Sequence, residues 1–381
     1  MIRSLLQSLA YSGKGGRDLR IDFLRGYCLF IMAVDHIGAN SFFLYLTGNV
    51  QFYTSAAEGF YFISGLTLGL LATRETFAQT VERLLKRSVV LYRTAILIAL
   101  GFGAWSLLTG LKVWDVPWPK ENWLEPLFPI LTMRQGYAGS EILTLYVLFM
   151  LLAPIVMLAL FRKKGWLVLL VSGALYAISQ YRHDAVNLDA SNFATYFLPA
   201  AWQFLFYGGL VIGYHREDLS KLLAQFAPLR TVLSGAVVVA AIAFLWSYTH
   251  GHSLWPSLPA LALGEDNKTN LTPARLLMTA LYIQAFYILV TSLWKPLYRV
   301  LGWLLIPLGS ASLWTFTGHI VAIAVLYNLP LYVSTEDNVW AGTLWDCLAI
   351  LGIWASIHLY RRFRPGRTAR AANPKAAAAS D

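Results

Sequence analysis

Charge is scarce in this chain. Of its 381 residues only 13% are Asp, Glu, Lys or Arg, about half the share of soluble domains. Hydrophobic residues make up 57%, and the mean hydropathy is +0.55. A soluble fold of this length has too little interior to hide that apolar surface, so lipid must be part of its solvent. A cytosolic globular enzyme and a disordered chain are thereby excluded. Cysteine is almost absent as well: Cys28 and Cys347 both lie in apolar runs, which excludes a disulfide framework. The signatures of soluble catalysis are also missing. There is no G-x-S-x-G elbow, no G-x-x-x-x-G-K-[ST] loop, no H-E-x-x-H and no G-x-G-x-x-G. No ligand spacing points to a metal site, and no permanently bound cofactor is expected. Neither a soluble domain nor a repeat at a fixed period is visible.

The charge that is present is lopsided. A net charge of +10 in a soluble protein would suggest nucleic acid; in a membrane protein basic residues collect on the cytoplasmic face, and no nucleic-acid partner is expected. Segments of about 17–25 mostly apolar residues are long enough to span. Ten occur, at 23–42, 56–73, 88–109, 139–160, 165–180, 198–214, 229–248, 273–293, 307–328 and 340–360, with 296–306 read as an amphipathic segment lying at the interface. With the N-terminus inside, cytoplasmic segments hold 22 Lys and Arg and the opposite loops hold 5, while Arg25, Arg93 and Arg275 lie at or inside span ends. The expectation is an all-α polytopic bundle of ten transmembrane helices with both termini cytoplasmic. It divides into a cytoplasmic segment 1–22, a membrane domain 23–360 and a basic, Ala-rich tail 361–381 expected to be disordered. Met1–Ala10 lacks a long apolar region and a small-residue cleavage site, so the first span is expected to act as its own signal.

Ionisable groups inside a span cost at least about 2.5–3.5 kcal/mol each, so they mark function or tight pairing. Here they are Arg25, Asp35, His36, Glu58, Arg93, Glu141, His319, Asp346 and His358. Asp346 and His358 flank the last span, where snorkelling or helix pairing accounts for them. In the first span Arg25 and His36 are eleven residues apart, which returns to within about 20° of the same helical direction, with Leu29 and Met32 between. At 1.5 Å per residue they are about 16 Å apart along the axis. An arginine at the cytoplasmic boundary then leaves the imidazole near mid-membrane. Asp35 points about 100° away, toward another helix. A histidine hydrogen-bonded across helices explains His36 equally well at this point. In the third span Glu82, Lys86 and Arg93 share a stripe, with Arg83 and Arg87 beside it. Anchoring explains the outer ones; Arg93 lies deeper, and the cluster suits a phosphate-rich cytoplasmic donor. The pair His250 and His252 reads as a solvated loop, and the sequons at Asn267 and Asn270 carry no weight.

The stretch Arg17-Asp-Leu-Arg-Ile-Asp-Phe-Leu-Arg-Gly-Tyr-Cys-Leu-Phe-Ile-Met-Ala-Val-Asp-His-Ile resembles the opening of OpgC-type proteins, which belong with the membrane acyltransferase-3 superfamily. The hallmark of that superfamily is an arginine, ten residues and a histidine in the first span, matched by Arg25 and His36. Four further stretches resemble the family in order: Ala57-Glu58 to Ser64-Gly65, Glu141 to Pro154, Pro199 to Trp202-Gln203, and Leu308-Gly-Ser310 to His319. The likeness covers roughly 17–360. One departure is the spacing of Arg83, Arg87 and Arg93, where the superfamily has closely spaced arginines entering the third span.

The resemblance implies an enzyme that moves an acyl group, succinyl or acetyl, from a cytoplasmic CoA thioester to a hydroxyl of a periplasmic glucan or related carbohydrate. A sugar hydroxyl needs a base near pH 7, and histidine has the matching intrinsic pKa. His36 is then the candidate base, with Glu58 or Glu141 stabilising its protonated form. Arg25, Arg83, Lys86, Arg87 and Arg93 are candidates for the phosphates of acyl-CoA. Ser310 and His319 would line the acceptor side or polarise the thioester, and Asp35, Trp202 and Gln203 are further substrate-site candidates. Trp114, Trp118, Trp123 and Trp255 suit both sugar stacking and an interfacial aromatic belt. The competing class is a proton-coupled exporter of a glycan or lipid-linked substrate, which would use the same intramembrane charges; the inverted repeat it would favour is not visible. The acyl group, the acceptor and the oligomeric state are left open.

Overall fold

A computed structural model describes residues 9–11, 17–47, 54–110, 118–137, 139–181, 197–249 and 268–363. Every regular element among them is helical. Two compact units emerge, one comprising residues 1–15 and 48–296, the other residues 16–47 and 297–381. The second unit holds α1 (Leu19–Ile37), α2 (Phe42–Thr47), α12 (Trp294–Ser310) from Leu297 on, α13 (Ser312–Leu326), α14 (Pro330–Val333) and α15 (Val339–Phe363). The first holds α3 (Ala56–Ala72), α4 (Phe77–Thr109), α5 (Leu127–Leu131), α6 (Glu141–Phe161), α7 (Gly165–Tyr181), α8 (Pro199–Tyr214), α9 (Arg216–Gln225), α10 (Ala227–Thr249) and α11 (Pro273–Ser292).

Each of the ten apolar segments contains a helix, yet among the described residues four helices are long and apolar enough to cross a membrane alone: α4, α6, α11 and α15. The bent pair α12–α13 makes a fifth if counted as one span. The others fall short for plain reasons. α3 and α7 have 17 residues and α8 has 16, while α1 carries Arg20, Asp22, Arg25 and Asp35 within its 19. Three boundaries differ from the sequence expectation. α1 stops at Ile37, because Gly38 adopts φ +73 and its N–H closes back on the Val34 carbonyl, a left-handed cap that glycine adopts without steric cost. The apolar run 307–328 is not one helix: α12 continues through Pro307 to Ser310 and meets α13 at 95°. Similarly, the last helix runs through Phe363, past the expected start of the tail.

Close backbone contact builds both units. In the first, Gly65 and Gly69 of α3 face α8, where Gly209 and Gly213 face back. A Cβ at Gly65 would lie 1.9 Å from the Phe206 carbonyl oxygen, and one at Gly213 would lie 2.1 Å from that of Leu66. Two small-x-x-x-small stripes thus let the helices touch where no side chain fits, the packing that substitutes for the hydrophobic effect between helices in lipid. Around this contact sits an aromatic core. Tyr61 meets Trp202, Phe149 and Tyr146 edge-on at 5.4, 5.8 and 6.2 Å, a favoured geometry for buried rings. In the second unit α1 crosses α12 in the same way: a Cβ at Gly26 would lie 1.9 Å from the Leu305 carbonyl oxygen, and one at Gly309 1.8 Å from that of Asp22.

Candidate functional site

The contacts of the second unit form a ladder that fixes its directions. Gly26 meets Gly309 and His36 meets His319, so α1 and α13 ascend together. Against them α15 runs the other way: Arg361 meets Ser310, Ser356 meets Trp314, Ile353 meets Gly318, and Asp346 meets Ser41. Arginines gather at the lower end. Asp18 caps α1, accepting from the Arg20 N–H at 3.2 Å, and grips the Arg20 guanidinium through both oxygens. Asp22 does the same for Arg17 at 2.7 and 2.9 Å, and this hydrogen bonding holds the Arg17 guanidinium above even its usual high range. Arg25, half-buried, follows one turn on. Arg361 donates to the Ser310 hydroxyl at 2.7 Å, beside the α12–α13 bend, while Ser310 donates to the Pro307 carbonyl.

One helix length higher lies the histidine pair. Leu29 and Met32 are buried between Arg25 and His36, as their shared stripe requires. Nδ1 of His36 lies 3.2 Å from Nε2 of His319, with ring centroids 5.4 Å apart and planes tilted by 34°. His319 is 1% exposed and braced edge-on by Phe316 at 4.9 Å. Asp35 turns to α2, where its carboxylate accepts from Thr47 at 2.7 Å. Asp346 is fully buried; Ser41 donates to its Oδ2 at 2.5 Å and its Oδ1 has no hydrogen-bond partner among the described residues.

In the first unit the expected residues are arranged otherwise. Glu58, fully buried at the third position of α3, accepts from the Ser55 N–H at 2.9 Å in a capping box and forms an ion pair with buried Arg275. Glu141, half-buried, opens α6 against Gly136. The structure places Trp202 and Gln203 in the packed interior. The Trp202 indole N–H donates to the Thr269 carbonyl at 3.0 Å, and Gln203 accepts from Ser172 and donates to the Ser172 and Ala200 carbonyls. On α4, Arg83 is paired with Glu75 at 2.9 Å and Lys86 with Glu82. Arg87 is half-buried, and Arg93 is exposed on the outward face that also carries Val90 and Leu97. Trp118 is buried against Tyr137, and Trp123 is half exposed. Trp114, Trp255, His250, His252 and Asn267 lie outside the described residues, as do 1–8 and the tail from 364.

Residues 17–364 match the family described as OpgC protein. The chain belongs to that family. No curated protein and no solved structure matches it. Family membership and the apolar helices together make it a membrane protein with an acyltransferase-like function. The spacing of Arg25 and His36 is readable in the sequence, whereas Arg275 stands there only as an arginine at a span end and Arg361 does not stand out at all. Arg361 counted only as one of several tail arginines, and nothing local says that it turns back to Ser310. The partner of Glu58 is 217 residues away, a pairing only the fold reveals.

Proposed function

We propose that the protein is an O-acyltransferase of the bacterial inner membrane. It takes a succinyl or acetyl group from a cytoplasmic CoA thioester and places it on a hydroxyl of a periplasmic glucan or related extracytoplasmic carbohydrate. The observation that carries this reading is the His36–His319 pair, set about 16 Å along α1 from Arg25, the innermost arginine of the cluster on that helix. A cationic end suits the phosphates of CoA, and the half-buried imidazole of His36 suits removal of a proton from a hydroxyl.

His36 accepts the acceptor's hydroxyl proton as its oxygen attacks the thioester carbonyl; the new C–O bond forms, the C–S bond breaks, and the proton passes to the departing CoA thiolate. Arg25 and Arg361 are assigned to the donor phosphates, because both lie at the arginine-rich end of the second unit, Arg25 one turn beyond Asp22 and Arg361 against Ser310. Arg83, Lys86, Arg87 and Arg93 would serve to draw the anionic donor toward the cytoplasmic face. The 22-to-5 split of basic residues supports ten membrane passes, the short ones included, with both termini cytoplasmic.

The test is incubation of the purified protein in detergent with succinyl-CoA or acetyl-CoA, following free CoA thiol with and without glucan. Glucan-dependent thiol release with acyl ester on the glucan is expected. Absence of that ester with either thioester overturns the proposal.

A further inference from the structure

We infer that His319 is a positioning residue that fixes the tautomer of His36. Nδ1 of His36 carries the proton and donates it to Nε2 of His319, so that Nε2 of His36 is the atom that accepts the substrate's proton. This rests on the acyl-transfer reading above.

A neutral imidazole has one donor and one acceptor nitrogen. Two neutral rings joined through Nδ1 of one and Nε2 of the other, 3.2 Å apart, must therefore divide the roles, and the environment of His319 decides which way. Its ring is 1% exposed, and its Nδ1 has no hydrogen-bond partner among the described residues. The carbonyls of Phe316 and Thr315, one turn earlier in α13, act on this ring, and with Nε2 turned to His36 the nitrogen left on their side is Nδ1. A lone pair buried against carbonyl oxygens is repelled, whereas an N–H is attracted, so the proton of His319 belongs on Nδ1. The Thr315 hydroxyl of the same turn does not change that, for it donates to the Leu308 carbonyl at 2.8 Å. Nε2 of His319 is then an acceptor, and Nδ1 of His36 must supply the hydrogen. Phe316, edge-on at 4.9 Å, holds the acceptor ring in place.

This arrangement gives the base a fixed direction. When the hydroxyl proton reaches Nε2 of His36, the resulting imidazolium keeps its Nδ1–H on His319, which stays neutral throughout. The Nε2 proton is then delivered to the CoA thiolate as the C–S bond breaks, and the pair returns to its starting state. A second histidine here does what an orienting carboxylate does in hydrolytic triads, without placing a fixed negative charge in the apolar layer.

The experiment uses the full chain in detergent with ¹⁵N-labelled histidine. The His36 resonances are identified as those missing from His36→Gln, and their shifts report which ring nitrogen is protonated. The Nδ1-protonated form is expected in the native protein and in His319→Gln, whose amide oxygen remains an acceptor near the place of Nε2. His319→Leu removes the acceptor and should return His36 toward the Nε2-protonated form. In parallel, His319→Leu should lower kcat by about 10²-fold with the thioester KM unchanged, while His319→Gln stays within about threefold of native. An Nε2-protonated His36 in the native protein overturns the inference whether or not the leucine variant folds. So does a folded His319→Leu protein that turns over at the native rate. If the native protein acylates nothing, the acyl-transfer reading fails, and the resonances still decide the tautomer.

Discussion

The two units bury ionisable side chains in apolar surroundings and handle them in opposite ways. In the first, Glu58 is enclosed with Arg275 and its carboxylate also accepts from the Ser55 cap, so positive and negative charge cancel on the spot. In the second, a part-buried contact joins two imidazoles, which share a proton rather than neutralise a charge. Coulomb attraction in a low-dielectric layer holds the first arrangement shut. A hydrogen bond between groups of equal intrinsic pKa leaves the second able to accept and release protons. Ionisable residues in a membrane protein are therefore not alike: one buried pair is a strut, the other has the composition of a catalyst.

The largest effect expected from this contrast is functional and lies in the second unit. His36→Gln keeps a polar side chain but cannot take a proton, so acylation of glucan should fall by about 10²–10⁴-fold while the thermal midpoint in detergent barely moves. A folded, inserted His36→Gln protein with near-native turnover would erase the distinction. The converse holds for the first unit. Glu58→Ala strands Arg275 without its counter-charge and should destabilise by about 3–5 kcal/mol, read as early loss of the monodisperse peak on heating. Replacing both partners with Leu and Met should recover much of that loss, since an ion pair gives up heavy desolvation to exist there. An unstable protein in the double variant would show that the pair does more than brace α3 against α11.

A smaller loss, about 3 kcal/mol, is expected for Gly65→Leu, because the atom in its way is the Phe206 backbone oxygen and cannot rotate aside. Thermal unfolding of the purified variant checks it; near-native stability would mean that α3 and α8 are held by the aromatic core alone. The smallest effects sharpen the assignment of the donor site. Arg361→Ala should raise the thioester KM about tenfold, the scale of one charge-assisted hydrogen bond. Arg93→Ala, on the outward face of α4, should raise it less than threefold. The reverse order in steady-state kinetics would move the donor phosphates to α4.

Part of the site was legible because it is local. An arginine and a histidine eleven residues apart share a helical face by periodicity alone, and the 100° offset of Asp35 accounts for its turning to Thr47. Likewise the stripes Gly65-x-x-x-Gly69 and Gly209-x-x-x-Gly213 stand in the sequence as a signal for close helix contact. Trp202 and Gln203 show the limit of such reading. Their types suit a carbohydrate site, yet Trp202 is packed against Tyr61 and hydrogen-bonded to the Thr269 carbonyl, partners far away in the chain.

The sequence by itself determined the solvent of this protein, its helical class and the segments that become helices, because those follow from composition and periodicity along a single stretch. The match of residues 17–364 to the OpgC protein family belongs with them. What only the tertiary structure decided was which ionisable groups meet. His36 finds His319 across 283 positions, Ser41 finds Asp346 across 305, and Glu58 finds Arg275 across 217. The 95° bend at Ala311 is of the same kind. Pro307 weakens the helix locally, but the closed contact of Gly26 with Leu305 and Gly309 ties the lower arm of the bend to α1. Contacts of this range carry no periodic trace, because each is selected by the packing of whole helices rather than by the neighbours of either residue.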